Sequence, residues 1–121
     1  MENVLLLAAS GLCVITALIH SYFGEKRLIA PVINSAHGIM VNSLAKQVMR
    51  FAWHWTSMLW ILVAAYLAFA AQGQIAHRQL LLGIGFFHLM AGLIDGVITR
   101  GKHIGWLPIT LIGIMVLLAS F

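Results

Sequence analysis

The chain has 121 residues, of which 62% are hydrophobic and only 8% are charged, and its formal net charge is +4. Soluble domains carry about 25% charged residues, so this composition, with a mean hydropathy of +1.00, argues against a soluble domain and predicts an integral membrane protein. Lysines and arginines lie between apolar runs. The positive charge therefore follows membrane topology and does not indicate a nucleic-acid partner.

The first apolar run predicts a membrane span over residues 4–23, because twenty residues are about the length that a ~30 Å hydrocarbon core requires. The segment Met1-Glu2-Asn3 lacks the basic residues that open a signal peptide, so we expect this run to remain as a span. Several small residues within it favour close helix contacts. His20 lies about one turn from its end.

The following loop, residues 24–50, is too polar to span a membrane, and Pro31 is expected to discourage a helix through it. After a plausible cap at Asn34-Ser35, apolar and polar residues each recur at helical spacing. This pattern predicts an interfacial amphipathic helix that can run straight into the second span. The apolar stripe is Met40, Leu44, Val48 and Phe51; the polar stripe is Asn42, Lys46, Arg50 and His54.

Three further apolar runs predict spans over residues 51–71, 79–99 and 104–121. Only a short turn at 75–78 separates the second span from the third, so we expect these two spans to be antiparallel neighbours. The predicted fold is all-α. It is a single polytopic membrane domain, built as a four-transmembrane-helix bundle with an interfacial helix in the first loop.

Lysine and arginine are distributed unevenly between the two predicted faces. One face has only Arg78, whereas the opposite face has Lys26, Arg27, Lys46, Arg50, Arg100 and Lys102. The positive-inside rule therefore places the basic loops in the cytoplasm and both termini outside.

Each predicted span brings one ionisable side chain close to the basic face, and these side chains are His20, His54, Asp95 and His103. Imidazole nitrogens with one carboxylate suit iron, copper or zinc, and four-helix bundles build such sites from inward-pointing side chains. We expect the three histidines to be ligands, and Asp95 to be a fourth ligand or to orient one. His88, deeper on the Asp95 face, is a further candidate ligand or a proton relay. Glu25 lies just outside this layer.

A b-type haem is an alternative to the metal ion, since His20 and His54 lie at similar depth on two spans and can act as axial ligands. Lys46, Arg50 or Arg100 would then pair with the propionates. The haem and the metal ion use the same histidines, so the sequence does not separate them.

Each candidate also has a purely structural interpretation. The histidines near the basic face can simply meet lipid headgroups, and Asp95 can form an ion pair with Arg100 or Arg50. His88 can form a hydrogen bond to a neighbouring helix. His37 and His77 are interpreted as loop residues.

Three functions remain open from the sequence. The first is a metal or haem centre used for redox chemistry. The second is an oligomeric transporter in which His88 and Asp95 form a proton or cation path, and the third is a non-catalytic accessory subunit. In each case the partners are the lipid bilayer and either further copies of the chain or a larger membrane complex. Whether the protein is an enzyme stays undecided.

Three motifs resemble a group of small bacterial four-helix membrane proteins. They are His20-Ser-x-x-Gly-Glu25, Arg50-Phe-Ala-Trp-His54-x-Thr-Ser and Gly105-Trp-x-Pro108. The resemblance implies four spans and a bacterial inner membrane, and it carries no known activity. The chain is also similar in size to small multidrug-resistance transporters, but it lacks the glutamate that those proteins carry within their first span.

Overall fold

The computed structural model describes residues 1–75 and 77–121, and every regular element in these two ranges is helical. Four long helices dominate. They are α1 (Glu2–Gly24), α3 (Ser43–Ala71), α4 (Arg78–Ile98) and α5 (Trp106–Ser120). Between α1 and α3 lie a π-helical turn (Glu25–Ile29), the short helix α2 (Ala30–Asn34) and a 3₁₀ turn (Gly38–Val41). The turn predicted over 75–78 includes Ala76, which lies outside the described residues.

Among the described residues, three helical segments are long and apolar enough to cross a membrane: Glu2–Asn34, Ser43–Ala71 and Arg78–Ile98. The fourth, α5, is as apolar but has only 15 residues, a length of about 22 Å at 1.5 Å per residue. The all-α prediction, with helices able to span a membrane, is therefore confirmed.

The first loop differs from the prediction. Pro31 does not interrupt the helix, because α1 continues through the π turn and α2 to Asn34. The π turn ends at Ile29, immediately before α2, and Pro31 lies in the first turn of α2. A missing N–H donor costs little at that position.

The helix expected after Asn34-Ser35 begins instead at Ser43, and it runs unbroken into the second span as one helix of 29 residues. Its cap is Asn42, whose Oδ1 accepts hydrogen bonds from the backbone N–H of Leu44 at 2.8 Å and of Ala45 at 3.4 Å. Met40, assigned to the apolar stripe of that helix, lies in the 3₁₀ turn and is buried among residues of the extended α1.

Helix packing also departs from expectation. The extensive contacts join α1 to α3, α1 to α5, and α4 to α5. Although a short link joins α3 to α4, these helices do not pack extensively against each other in the part of the chain that the structure describes. We attribute this choice of neighbours to small residues, because helices in lipid pack where small side chains let their backbones approach closely.

Two kinds of close approach hold the helices together. On α1, Ala9 and Cys13 are fully buried, and the Ser10 hydroxyl donates a hydrogen bond to the Ala64 carbonyl on α3 at 2.8 Å. Between α4 and α5, a side chain in place of Gly92 or Gly113 would collide with the backbone of the facing helix. These contacts orient α1 antiparallel to α3, and α4 antiparallel to α5.

Candidate functional site

The candidate site lies at the end of the molecule where α1 passes into the π turn, α3 begins its apolar part and α4 leads into α5. We call this the basic end. His20 lies within electrostatic range of both His54 and His103 there. Asp95 joins them through its contact with His103. Four of the five predicted metal residues thus gather at the basic end.

Three side chains of α3 contact the His20 imidazole. Its Nδ1 lies 3.0 Å from the Ser57 hydroxyl, and its ring stacks on the Trp53 indole with centroids 4.1 Å apart and planes 10° from parallel. The Trp53 indole N–H also donates to the His20 backbone carbonyl at 3.0 Å. A second indole, that of Trp60, meets the imidazole ring edge-on. The ring is therefore fixed in orientation.

His54 on α3 faces α1 and the π turn. Its Nδ1 lies 2.7 Å from the Ser21 hydroxyl, and its Nε2 lies 3.3 Å from Glu25 Oε2. The other carboxylate oxygen, Oε1, lies 2.8 Å from a guanidinium nitrogen of Arg50. Within the described residues, Glu25 Oε2 is buried and has no hydrogen-bond partner.

Glu25 is the residue that sequence reasoning placed outside the layer. One feature of the sequence could have indicated a role for Glu25: the chain has only three acidic residues, and two of them lie at the basic end. Arg50 and His54 are four residues apart on α3, so they share one helical face and can approach the same carboxylate.

Asp95 and His103 form a pair across the end of α4. Asp95 Oδ2 lies 2.6 Å from His103 Nδ1, and the Thr99 hydroxyl donates to the Asp95 backbone carbonyl. The ion pairs considered for Asp95 with Arg50 or Arg100 are not formed, because Asp95 meets His103 while Arg50 meets Glu25. Arg100 ends α4 in a left-handed backbone conformation, with φ of 52°, and is exposed.

His88 lies apart from this group, two helical turns or about 10 Å along α4 from Asp95. Its side chain is almost fully buried, and its Nδ1 lies 2.8 Å from the Ile84 backbone carbonyl. The other nitrogen, Nε2, is buried without a hydrogen-bond partner among the described residues.

An open groove of about 760 Å³ lies beside His20. Its walls are mainly apolar and come from the extended α1, the 3₁₀ turn and α3; they include Ile29, Met40, Met49 and Trp53. Lys46 and Arg50, the predicted propionate partners, line a separate and smaller pocket with Ile33 and Phe51.

All four candidate histidines share one geometry: Nδ1 is engaged with an oxygen atom, from Ser57, Ser21, Asp95 or a backbone carbonyl. This fixes each ring and leaves Nε2 as the atom that can meet a ligand or a proton. In the described part of the chain, however, no three His, Cys, Asp or Glu side chains are arranged to hold a metal ion together.

Comparison with known proteins adds no relative: no family model, curated protein or solved structure matches the chain. The function is therefore argued from the basic end alone.

Proposed function

We propose that this protein holds a transition-metal centre at the basic end and uses it in redox chemistry within the membrane. His20, His54 and His103 are the proposed histidine ligands, each through Nε2. Because no three such side chains are arranged around one point in the described residues, binding would require these rings to move together around the ion. Asp95 is the partner that orients His103 rather than a ligand, because the Asp95 carboxylate is already in contact with His103 Nδ1.

The observation that carries this proposal is the anchoring of Nδ1 in each of these three histidines. Metal-ligating histidines almost always engage their other ring nitrogen with a carboxylate, a carbonyl or a similar group, which fixes the ring and raises its basicity. Here Ser57, Ser21 and Asp95 perform that role from three different parts of the chain.

The haem form of the proposal is supported by the groove. Its volume of about 760 Å³ and its mainly apolar walls suit a flat, largely apolar cofactor, and His20 lies beside it. His54 is not among the residues that line it, and Lys46 and Arg50 line a different pocket. The metal-ion form therefore ranks first.

A proton- or cation-coupled transporter is the second candidate, and the isolated His88 nitrogen favours it. An ionisable side chain deep in a membrane helix often marks an ion path. This candidate predicts a protein without stoichiometric metal, and a loss of ion flux in Asp95→Asn.

For the arrangement in the cell, we propose a bacterial inner membrane with the basic end on the cytoplasmic side, because the lysines and arginines concentrate there. Further copies of the chain or a larger membrane complex are the proposed partners.

The test is elemental analysis of the detergent-purified protein, with visible spectra as isolated and after dithionite. We expect stoichiometric iron, copper or zinc in the native protein and its loss in His54→Ala. Matched controls are His37→Ala and His77→Ala, which remove exposed histidines away from the cluster and should leave the metal in place. A Soret band would select haem instead. Neither metal nor Soret band, in protein never exposed to a chelator, would exclude both forms.

A further inference from the structure

We propose that Glu25 supplies the carboxylate ligand of this centre and binds the metal ion together with His54 Nε2. This inference rests on the proposed metal function, and it names a ligand that the layer of predicted residues did not contain. The competing interpretation is that Glu25 only forms structural ion pairs, with Arg50 through Oε1 and with His54 through Oε2.

The first argument is the spacing of the two donor atoms. Glu25 Oε2 and His54 Nε2 lie 3.3 Å apart. Two ligand atoms each bound about 2.0–2.1 Å from a tetrahedral ion are separated by about 3.3 Å, so the observed spacing is already that of two ligands on one ion.

The second argument is that this oxygen is buried and forms no hydrogen bond within the described ranges. It faces His54 Nε2 at 3.3 Å, while Oε1 of the same carboxylate contacts Arg50. A buried charged oxygen without a hydrogen bond is unfavourable. An ion shared with His54 Nε2 would remove that cost.

The third argument is that both ligands are positioned by other groups. Arg50 holds Oε1 of the carboxylate, and Ser21 holds Nδ1 of the imidazole, so each ligand presents its free atom to the same point. Glu25 is also the first residue of the π turn, an irregularity that occurs frequently at functional sites.

The donor set indicates the class of metal. One carboxylate oxygen and one imidazole nitrogen suit Zn²⁺, Fe²⁺ or Mn²⁺ rather than Cu⁺, which prefers thiolate and thioether ligands. Two ligands from this pair leave the remaining coordination positions for water, a substrate or a neighbouring histidine.

The experiment measures Zn²⁺ and Co²⁺ binding to the full-length protein in detergent by equilibrium dialysis, with the Co²⁺ absorption spectrum as a report on coordination. Native protein is compared with Glu25→Gln, Glu2→Gln and Arg50→Met. Glu2 is the matched control, since it is an acidic residue at the opposite end of α1. Arg50→Met breaks the ion pair while leaving the carboxylate in place.

We expect Glu25→Gln to weaken binding at least 10-fold and to change the Co²⁺ spectrum, while Glu2→Gln binds as the native protein does. Arg50→Met keeps the carboxylate but loses the group that positions it, so it should weaken binding by less than Glu25→Gln does. Native binding that survives unchanged in Glu25→Gln would overturn the assignment of Glu25 and leave the metal centre standing. Equal losses in Glu25→Gln and Arg50→Met would also overturn it, because the ion pair would then be the requirement.

No binding to the native protein would instead refute the proposed function itself.

Folding is checked by circular dichroism and gel filtration. If Glu25→Gln does not fold, Glu25→Asp replaces it. This variant keeps the negative charge but shortens the side chain by one methylene, and we expect it to weaken binding by a similar factor. Unchanged binding in Glu25→Asp would count against the assignment.

Discussion

The contact between α4 and α5 and the contact between α1 and α3 at the basic end hold helices together in different ways. At the first, the backbones approach closely at Gly92 and Gly113, where a side chain would collide with the facing helix. At the second, the helices meet through side-chain hydrogen bonds and an ion pair. In lipid, small residues and close packing are sufficient for helix association.

The molecule therefore has a simpler way to join two helices. It uses close packing at the basic end too, where Gly24 lies against the Trp53 side chain, but it adds several ionisable side chains there. Interhelical hydrogen bonds in membranes contribute only about 0.6 kcal/mol on average, so stability alone is a weak reason to keep several ionisable side chains there. We interpret the difference as a division of roles: the α4–α5 contact stabilises the fold, and the basic end serves the site. The predictions below separate these roles.

The largest expected effect is on the α4–α5 contact. Gly92→Leu places a side chain where Thr110 lies, and we expect it to lower the free energy of unfolding by about 3 kcal/mol or to prevent folding, because overpacking at a rigid contact forces the backbones apart. Thermal unfolding in detergent measures this. Gly83→Leu is the control on the same helix, since nothing lies within 4 Å of a side chain added there. Equal stability of the two variants would show that α4 and α5 are not packed as described.

A smaller effect on stability, with a larger one on metal, is expected at the basic end. Ser21→Ala and Ser57→Ala each remove one Nδ1 anchor, and each should lower the free energy of unfolding by about 0.6 kcal/mol while weakening metal binding about 10- to 100-fold.

The control for the serine variants is Ser10→Ala, which removes an α1–α3 hydrogen bond away from the histidines. It should have the same small effect on stability and none on metal. If all three serine variants lose stability alike and bind metal alike, the anchors are structural only.

The smallest effect is expected at His88. His88 has a contact from Nδ1 to the Ile84 carbonyl, but its Nε2 is buried without a hydrogen bond among the described residues. An apolar side chain of similar size loses the first and removes the cost of the second, so His88→Leu should change the free energy of unfolding by less than about 1 kcal/mol. Thermal unfolding measures this, and ion flux in proteoliposomes shows whether His88 serves a path. A loss of more than 2 kcal/mol would mean that Nε2 has a structural partner.

The sequence predicted what depends on composition and periodicity. Long apolar runs specify helices able to cross a membrane, and matching depth brought His20, His54, Asp95 and His103 to one end. Depth alone does not decide which helices touch, so the predicted α3–α4 pairing was wrong. Contacts such as those at Gly92 and Gly113 depend on surface shape, which hydropathy does not report.

The errors in the first loop have a local cause. A proline normally ends a helix, but here a π turn comes before the first turn of α2, where Pro31 lies and its missing N–H costs little. A hydropathy pattern does not predict such a turn, and this turn brings Glu25 to Arg50 and His54. Because the turn was not predicted, Glu25 was not included among the candidate ligands.

The lengths of α1 and α3 have a consequence for access. The continuous helix from Glu2 to Asn34 is 33 residues, about 50 Å long, and α3 is 29 residues, about 43 Å, whereas a hydrocarbon core is about 30 Å thick. We expect the surplus to extend the hairpin beyond the hydrocarbon at the basic end, where the lysines and arginines of the first loop lie. Glu25 is only nine residues, about 14 Å, from the helix end at Asn34. A solute on that side would then reach the histidines without crossing the hydrocarbon.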